Sequence, residues 1–148
     1  MIIAVNKWDI VEKDENTAHF FEKAVREKLG AIDYAEIVFI SALTRQRIFK
    51  LIELCKQVSM ERKKKIPTNE LNDFLLSEVD KSPPPSTPTG KEVKIKYVTQ
   101  IGEHYHVFAF FCNFPKHIAD NYKRFLEKLI RHRYGFKGVP FTLSFKSK

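Results

Sequence analysis

The chain has 148 residues, a formal net charge of +8 at neutral pH, 43% apolar and 13% aromatic side chains, enough to build one ordinary domain or two small ones. No apolar run approaches the roughly 20 residues that cross a bilayer, and the first residues lack the basic-then-apolar layout of a secretory signal, so a cytoplasmic chain without membrane contact is expected. Cys55 and Cys112 stand far apart and outside any Cys-x-x-Cys pattern; both read as small buried apolar residues of a reducing compartment, and neither as a metal ligand.

In chain order, "IIAVN" is a short β-branched run without alternation, as a parallel strand covered on both faces requires. Asn16 or Thr17 can cap a helix in which Phe21, Val25 and Leu29 recur at four-residue spacing beside Phe20 and Ala24, stopped by Gly30. "EIVFISAL", residues 36–43, repeats the strand signature. Residues 45–65 then place Ile48, Leu51, Ile52, Cys55 and Val58 on one helical face, ending in "ERKKK", whose positive charge suits a helix C-terminus. Residues 1–66 therefore read as two β-α units.

After Ile66-Pro67 a helix from about Thr68 aligns Leu71, Phe74, Leu75 and Val79, and "KSPPPSTPTGK" then forces an extended connection. Val93, Ile95 and Tyr97 alternate with Lys94, Lys96 and Thr99 as a half-wet strand; the chain turns at Gly102-Glu103, and residues 105–112 return as a second, more apolar strand. Pro115 can open a long helix with Ile118, Tyr122, Phe125, Leu126, Leu129 and Ile130 inward, closed by Gly135, before a final strand "VPFTLSF". Residues 67–148 thus form an α-β-β-α-β unit, and the fold class is α/β followed by α+β.

The chemistry lies first in Asn6-Lys7-Trp8-Asp9, at the C-terminal end of a strand where open α/β sheets bind ligands. An ionised Asp9 can accept from the N1–H and exocyclic N2–H of guanine, a donor pair that adenine lacks. The Asn6 amide can address the opposite edge of the base and tie neighbouring loops, the Lys7 stem can lie across ring or sugar, and Trp8 is expected to pack outward against the scaffold. At the end of the second apolar strand stands Ser41-Ala42-Leu43, where a small residue lets the Ala42 backbone N–H approach the guanine oxygen. Two base-side motifs, each on its own strand end and separated by one helix, reinforce each other.

Asn6-Lys7-Trp8-Asp9 and Ser41-Ala42-Leu43 resemble the fourth and fifth guanine-nucleotide motifs of translation-factor-class GTPases. The following segment, with "IPTNELNDFL", the proline-rich connection, "KIKYVTQ" and "GFKGVP", resembles the KH-like C-terminal domain of the Der (EngA) family of bacterial ribosome-assembly GTPases, which carry two tandem GTPase domains ahead of it. The resemblance covers the whole chain. It implies a parent that binds GTP or GDP with Mg2+, hydrolyses GTP and associates with the large ribosomal subunit during its maturation. The five glycines, at 30, 90, 102, 135 and 138, make no phosphate-binding Gly-x-x-x-x-Gly-Lys-Ser/Thr loop, and no Asp-x-x-Gly is present to sense a γ-phosphate. The chain is therefore expected to be the last part of such a protein, entered within its second GTPase domain: a truncated parallel sheet, with no catalytic residue, no hydrolysis and no nucleotide held by this fragment alone. A sheet cut in this way exposes an edge and apolar area, so self-association, or poor order over residues 1–45, is expected.

Charge supplies the second candidate site. Residues 116–148 carry 9 Lys/Arg against 2 Asp/Glu, a field suited to a polyanion or to a helix face in water. Lys123, Arg124, Lys128, Arg131, Arg133 and Lys137 are the candidate docking residues toward rRNA or a ribosomal protein, contacting phosphate without reading sequence. Gly135-Phe136-Lys137-Gly138 matches the Gly-x-x-Gly of RNA-binding KH domains, but here it joins a helix to a strand and reads as a helix stop followed by a turn. His104 and His106 share a strand face without a third ligand nearby, which gives no metal site. Two other classes stay open: a self-contained basic KH-like RNA-binding module whose Asn-Lys-Trp-Asp is structural, and an Era-type GTPase fragment, which needs its Gly-x-x-Gly between two helices.

Overall fold

A computed structural model describes residues 1–12, 14, 16–30, 32–102 and 105–147. They divide into two compact units, Met1–Lys63 with Phe136–Val139, and Lys64–Gly135 with Pro140–Lys148.

In the first unit β1 (Ile2–Val5), α1 (Thr17–Leu29), β2 (Glu36–Phe39) and α2 (Ile48–Arg62) follow in order. The strands pair in parallel, from Ile2 opposite Glu36 to Val5 opposite Phe39, with α1 as the crossover that parallel pairing demands. The ladder runs on past the strand ends: the Ile40 N–H donates to the Val5 carbonyl (2.8 Å), and the Trp8 N–H to that of Ile40 (3.0 Å).

Asn16 takes the cap position of α1, its carbonyl accepting the Phe20 N–H at 3.0 Å. Asn16 makes no side-chain cap; instead Asp14 accepts from the Asn16 N–H (2.9 Å) and the Thr17 hydroxyl (2.7 Å), the local loop chemistry short acidic side chains favour. Those bonds hold its carboxyl below the usual range, the Thr17 contribution being largest. Gly30 closes the helix with φ 55°.

The packed layer here is thin. Trp8 is 2% exposed, its ring 4.3 Å from that of Phe39 and edge-on to Phe21 at 5.4 Å; it packs inward rather than outward. Neither helix buries a side chain completely. On α2 the half-buried stripe is Ile48, Leu51, Leu54 and Val58, while Ile52 and Cys55 face out. Cys55 is therefore exposed and only Cys112 buried.

The second unit contains α3 (Thr68–Lys81), β3 (Ile95–Ile101), β4 (His106–Cys112), α4 (Asp120–Tyr134) and β5 (Phe141–Ser147). Its sheet runs β3-β4-β5, with β4 antiparallel to β3 and parallel to β5, as the order α-β-β-α-β requires once α4 carries the chain across. Leu71, Leu75 and Val79 of α3 and Tyr122, Leu126 and Ile130 of α4 are buried with Val98, Phe108 and Phe110 of the sheet. Each such side chain contributes about 1.5–3 kcal/mol by leaving water.

Three boundaries differ from the sequence reading, each for a local reason. The β3 register shifts between Ile95 and Tyr97, a bulge that reverses the phase: Val93 and Ile95 are buried, and then Val98 rather than Tyr97. Pro115 opens only the 3-10 turn Pro115–His117; Ile118 and Ala119 are extended, and α4 starts at Asp120. Ile118 is buried from the connector, not from the helix. The last strand begins at Phe141, two residues after Val139. Glu103 of the expected turn lies outside the described residues.

The proline-rich connection is tied down at Pro84 and Thr87, both buried, while the rest of it is exposed. Thr87 closes its turn, exchanging backbone bonds with Lys91 and Gly90 (2.8–2.9 Å) and accepting the Lys91 N–H on its hydroxyl at 3.0 Å. The Tyr122 hydroxyl donates to the Ser82 carbonyl at 2.7 Å, and burial pushes that phenol up to about 12. The folded state thus holds this proton more tightly than the unfolded chain, and the stability it supplies is complete below pH about 10 and lost as pH rises toward 12. Tyr122→Phe is expected to cost about 1 kcal/mol at neutral pH and to flatten the alkaline limb of stability, as read by urea titrations at pH 8 to 11.5.

Candidate functional site

All five candidate base-side residues gather at one end of the first unit, because β1 and β2 run in parallel and deliver their C-terminal ends together. Asn6 and Lys7 follow β1 directly, and Ser41 and Ala42 follow β2 by two and three residues. The Asn6 Oδ1 accepts the Ala42 N–H at 3.0 Å across 36 residues of sequence. That bond joins the two motifs. It also uses the N–H expected to meet a guanine oxygen, so a base arriving there shares this donor with Asn6. Ser41 is fully buried: its N–H donates to the Gln46 carbonyl (3.1 Å), and its hydroxyl accepts the Thr44 N–H (3.1 Å). These bonds shape the loop that presents Ala42.

Lys7 is exposed and left-handed, φ 66°, opening the 3-10 turn Trp8–Ile10 that holds Asp9 half-exposed at the same strand end. Arg45 and Arg47 are also left-handed, φ 59° and 61°, and exposed. Nothing in the sequence marks these two positions, since non-glycine residues in this region are uncommon and carry no composition signal. Gln46, which closes the Ser41 loop, was equally unmarked.

The six cationic candidates differ in how far their own units engage them. Arg131 is spent inside the second unit: it pairs with Glu127 (3.0 Å) and lies over the Phe141 ring at 4.3 Å. Lys123 pairs with Asp120 at 2.7 Å, which holds that carboxyl below its usual range. Arg133 lies 5.7 Å over Phe74 of α3. Arg124 and Lys128 are exposed on α4, one helical turn apart. Lys137 belongs to the first unit, where it lines a pocket with Glu36, Gln57, Val58, Met60 and Glu61.

The Gly-x-x-Gly segment is occupied by its own chain. The Phe136 N–H donates to Glu61 Oε2 (2.7 Å) and the Gly138 N–H to the Tyr34 carbonyl (2.8 Å), so two amides that a KH loop would offer to RNA are already used. Gly138 has φ +69°, and a Cβ there would stand 2.5 Å from Val58 Cγ2. Gly138→Ala is expected to cost about 2 kcal/mol, from left-handed strain plus overpacking, measurable as a lower urea midpoint.

His104 lies outside the described residues. His106 is buried. Gln100 Oε1 accepts the Ile66 N–H (2.8 Å), which turns its amide nitrogen to the Lys64 carbonyl (3.0 Å) and to His106 Nδ1 (2.7 Å). Nδ1 is therefore the acceptor, and the ring serves packing. Among the described residues no group of three or more His, Cys, Asp or Glu is placed to hold a metal ion, and no helix is long and apolar enough to cross a membrane.

A βαβ unit comes first, and the α-β-β-α-β unit on a mixed sheet that follows it defines the class, a KH-like domain. Residues 65–146 match the family model described as the KH-domain-like, C-terminal domain of EngA bacterial GTPase enzymes. The chain belongs to the EngA family. It is 49% identical over its whole length to the GTPase Der of Cytophaga hutchinsonii, 47% to that of Chloroherpeton thalassium and 46% to that of Chlorobium phaeobacteroides. The chain spans 34% of each of these curated relatives.

Proposed function

We propose that this chain is the C-terminal third of a GTP-binding, GTP-hydrolysing protein of large-subunit assembly, and that it supplies guanine selectivity and a docking domain rather than catalysis. The observation that carries the first part is the Asn6–Ala42 bond, 3.0 Å: it fixes the second base-side loop to the first beside Asp9. In this reading Asp9 accepts from the guanine N1–H and N2–H, Lys7 covers the ring, and Ala42 shares its N–H with the base oxygen. The chain's residues orient the base; phosphates and Mg2+ are held by the upstream part, where hydrolysis takes place. The exposure of Leu43 (86%) and Phe49 (87%), with one partner strand for β1 among the described residues, fits a truncated sheet that upstream strands and helices cover. The second unit docks on the ribosome through the outward side of α4, and the protein works in the cytoplasm.

The test uses two proteins. The 148-residue chain alone is expected to release no phosphate from GTP above a buffer blank, to show no GDP binding by calorimetry and to self-associate on sizing. The same chain placed behind the upstream two thirds of the Cytophaga hutchinsonii relative is expected to bind GDP and hydrolyse GTP. Hydrolysis by the isolated chain, or a chimera that folds but binds adenine and guanine nucleotides equally, refutes the reading.

A further inference from the structure

The two edges of the second unit's sheet are treated differently. At β3 the Asn72 side chain of α3 imitates a neighbouring strand: its Nδ2 donates to the Val98 carbonyl at 2.7 Å and its Oδ1 accepts the Val98 N–H at 2.9 Å. That is the pair of bonds one residue of an antiparallel strand makes, and it closes the edge at its centre. At the other edge, among the described residues, no strand lies beyond β5. The turn Pro115–His117 packs against β5, and a groove of about 360 Å³ runs between its first half and α4, walled by Phe141, Thr142 and Leu143 and by Asp120, Lys123, Arg124 and Glu127. In an edge strand alternate residues send N–H and C=O outward, here beside the half-buried Phe141 and Leu143.

We propose that this edge takes up an extended peptide segment by strand addition, and that the segment carries a carboxylate that Arg124 receives. The inference deepens the docking reading and rests on it in one respect, that the α4 side of this unit meets a partner. Three features select the occupant. A peptide backbone returns both donors and acceptors to the ladder, whereas a phosphodiester returns acceptors. The acids of the groove are already paired, Asp120 with Lys123 and Glu127 with Arg131, and Arg124 is exposed beside them. A second copy of this chain, paired about β5, would set Lys123 and Arg124 against the same two residues of its own kind, a repulsion a carboxylate-bearing peptide avoids.

The experiment selects binders of the intact 148-residue chain from a random dodecapeptide display and titrates the synthetic winners into 15N-labelled chain. The winners are expected to be alternating, apolar and β-branched, with one Asp or Glu, and to move the amides of Thr142–Ser144 and Lys123–Glu127 most. N-methylation of alternate peptide residues is expected to weaken binding by about tenfold, the loss of two backbone bonds. Arg124→Glu, on an exposed helix position, is expected to turn the preference from acidic to lysine-bearing peptides. A selection without winners, winners that map elsewhere, winners indifferent to N-methylation, or a dimer formed through β5 would overturn the proposal. If a uridine dodecamer moves the α4 amides while the peptides leave β5 unmoved, the strand-addition inference falls and the docking reading stands; if neither ligand moves them, both fall.

Discussion

Asp9→Asn in the chimera with the upstream two thirds of a relative is expected to lower GDP affinity by about 100-fold and to raise the affinity for xanthosine diphosphate. The carboxylate offers only acceptors, which suits the two adjacent donors of guanine; the amide turns one of those acceptors into a donor that faces the guanine N2–H. One charge-assisted bond is lost and a donor is left opposite a donor, together about 3 kcal/mol. Xanthine carries a carbonyl at C2, so the same amide nitrogen then finds an acceptor. Competition titrations of the two diphosphates against one fluorescent nucleotide read both effects at once. Equal losses for both bases would mean that Asp9 supports the turn Trp8–Ile10 and does not read the base. Asn6→Ala separates the roles: it removes the acceptor of the Ala42 N–H, so it is expected to weaken both nucleotides without exchanging their order.

The strands were legible because each is a short apolar run between polar turns, and the parallel pairing of β1 and β2 followed from the helix between them. Four features were not legible, for separable reasons. The bulge at β3 moves Tyr97 outward and Val98 inward, and alternation read along a strand has no means of signalling an inserted residue. Pro115 satisfies the start of a helix and of a 3-10 turn equally, and only the extended Ile118-Ala119 pair decides for the turn. Asp14, not the cap residue Asn16, makes the side-chain bonds ahead of α1, a choice among polar neighbours that local propensity does not rank. Phe136–Val139 joins the first unit although it follows α4 in sequence, because its amides bond to Glu61 and Tyr34, contacts of high sequence separation.

The site shows the same division. Asn6 and Asp9 were visible as a motif whose chemistry is carried by residue type, and the tie between loops was foreseeable from the amide's reach. The cationic set was read as a sum of charge along residues 116–148, and charge summed along a sequence does not record helical phase. Arg131 turns to Phe141 and Glu127, Arg133 to Phe74, and Arg124 and Lys128 outward. Arg124, Lys128 and Arg133 stay exposed, a smaller feature than the sum suggested.

Phe39→Ala is expected to destabilise the first unit by about 3–5 kcal/mol, the cost of emptying an aromatic site that little else can refill. Phe39 is 6% exposed at the end of β2, 4.3 Å from Trp8 and within edge contact of Phe21 at 6.4 Å. Because α1 and α2 bury no side chain completely, the unit's buried set of apolar side chains larger than alanine is small among the described residues, Trp8 and Phe39 with Val38, Ile40, Phe136 and Val139, and neighbours that are themselves exposed cannot be drawn inward without exposing something else. Trp8 is the sole tryptophan, so its fluorescence reports the first unit while far-ultraviolet circular dichroism reports both. The variant is expected to lose the tryptophan transition at low urea with the second unit's transition, held by Phe108, Leu126 and Ile130, left in place. Two superposed transitions shifted together would show instead that the units unfold as one. In the chimera the same substitution should cost nucleotide affinity as well, since β2 sets the position of Ser41 and Ala42, and saturating GDP should restore part of the lost stability by mass action.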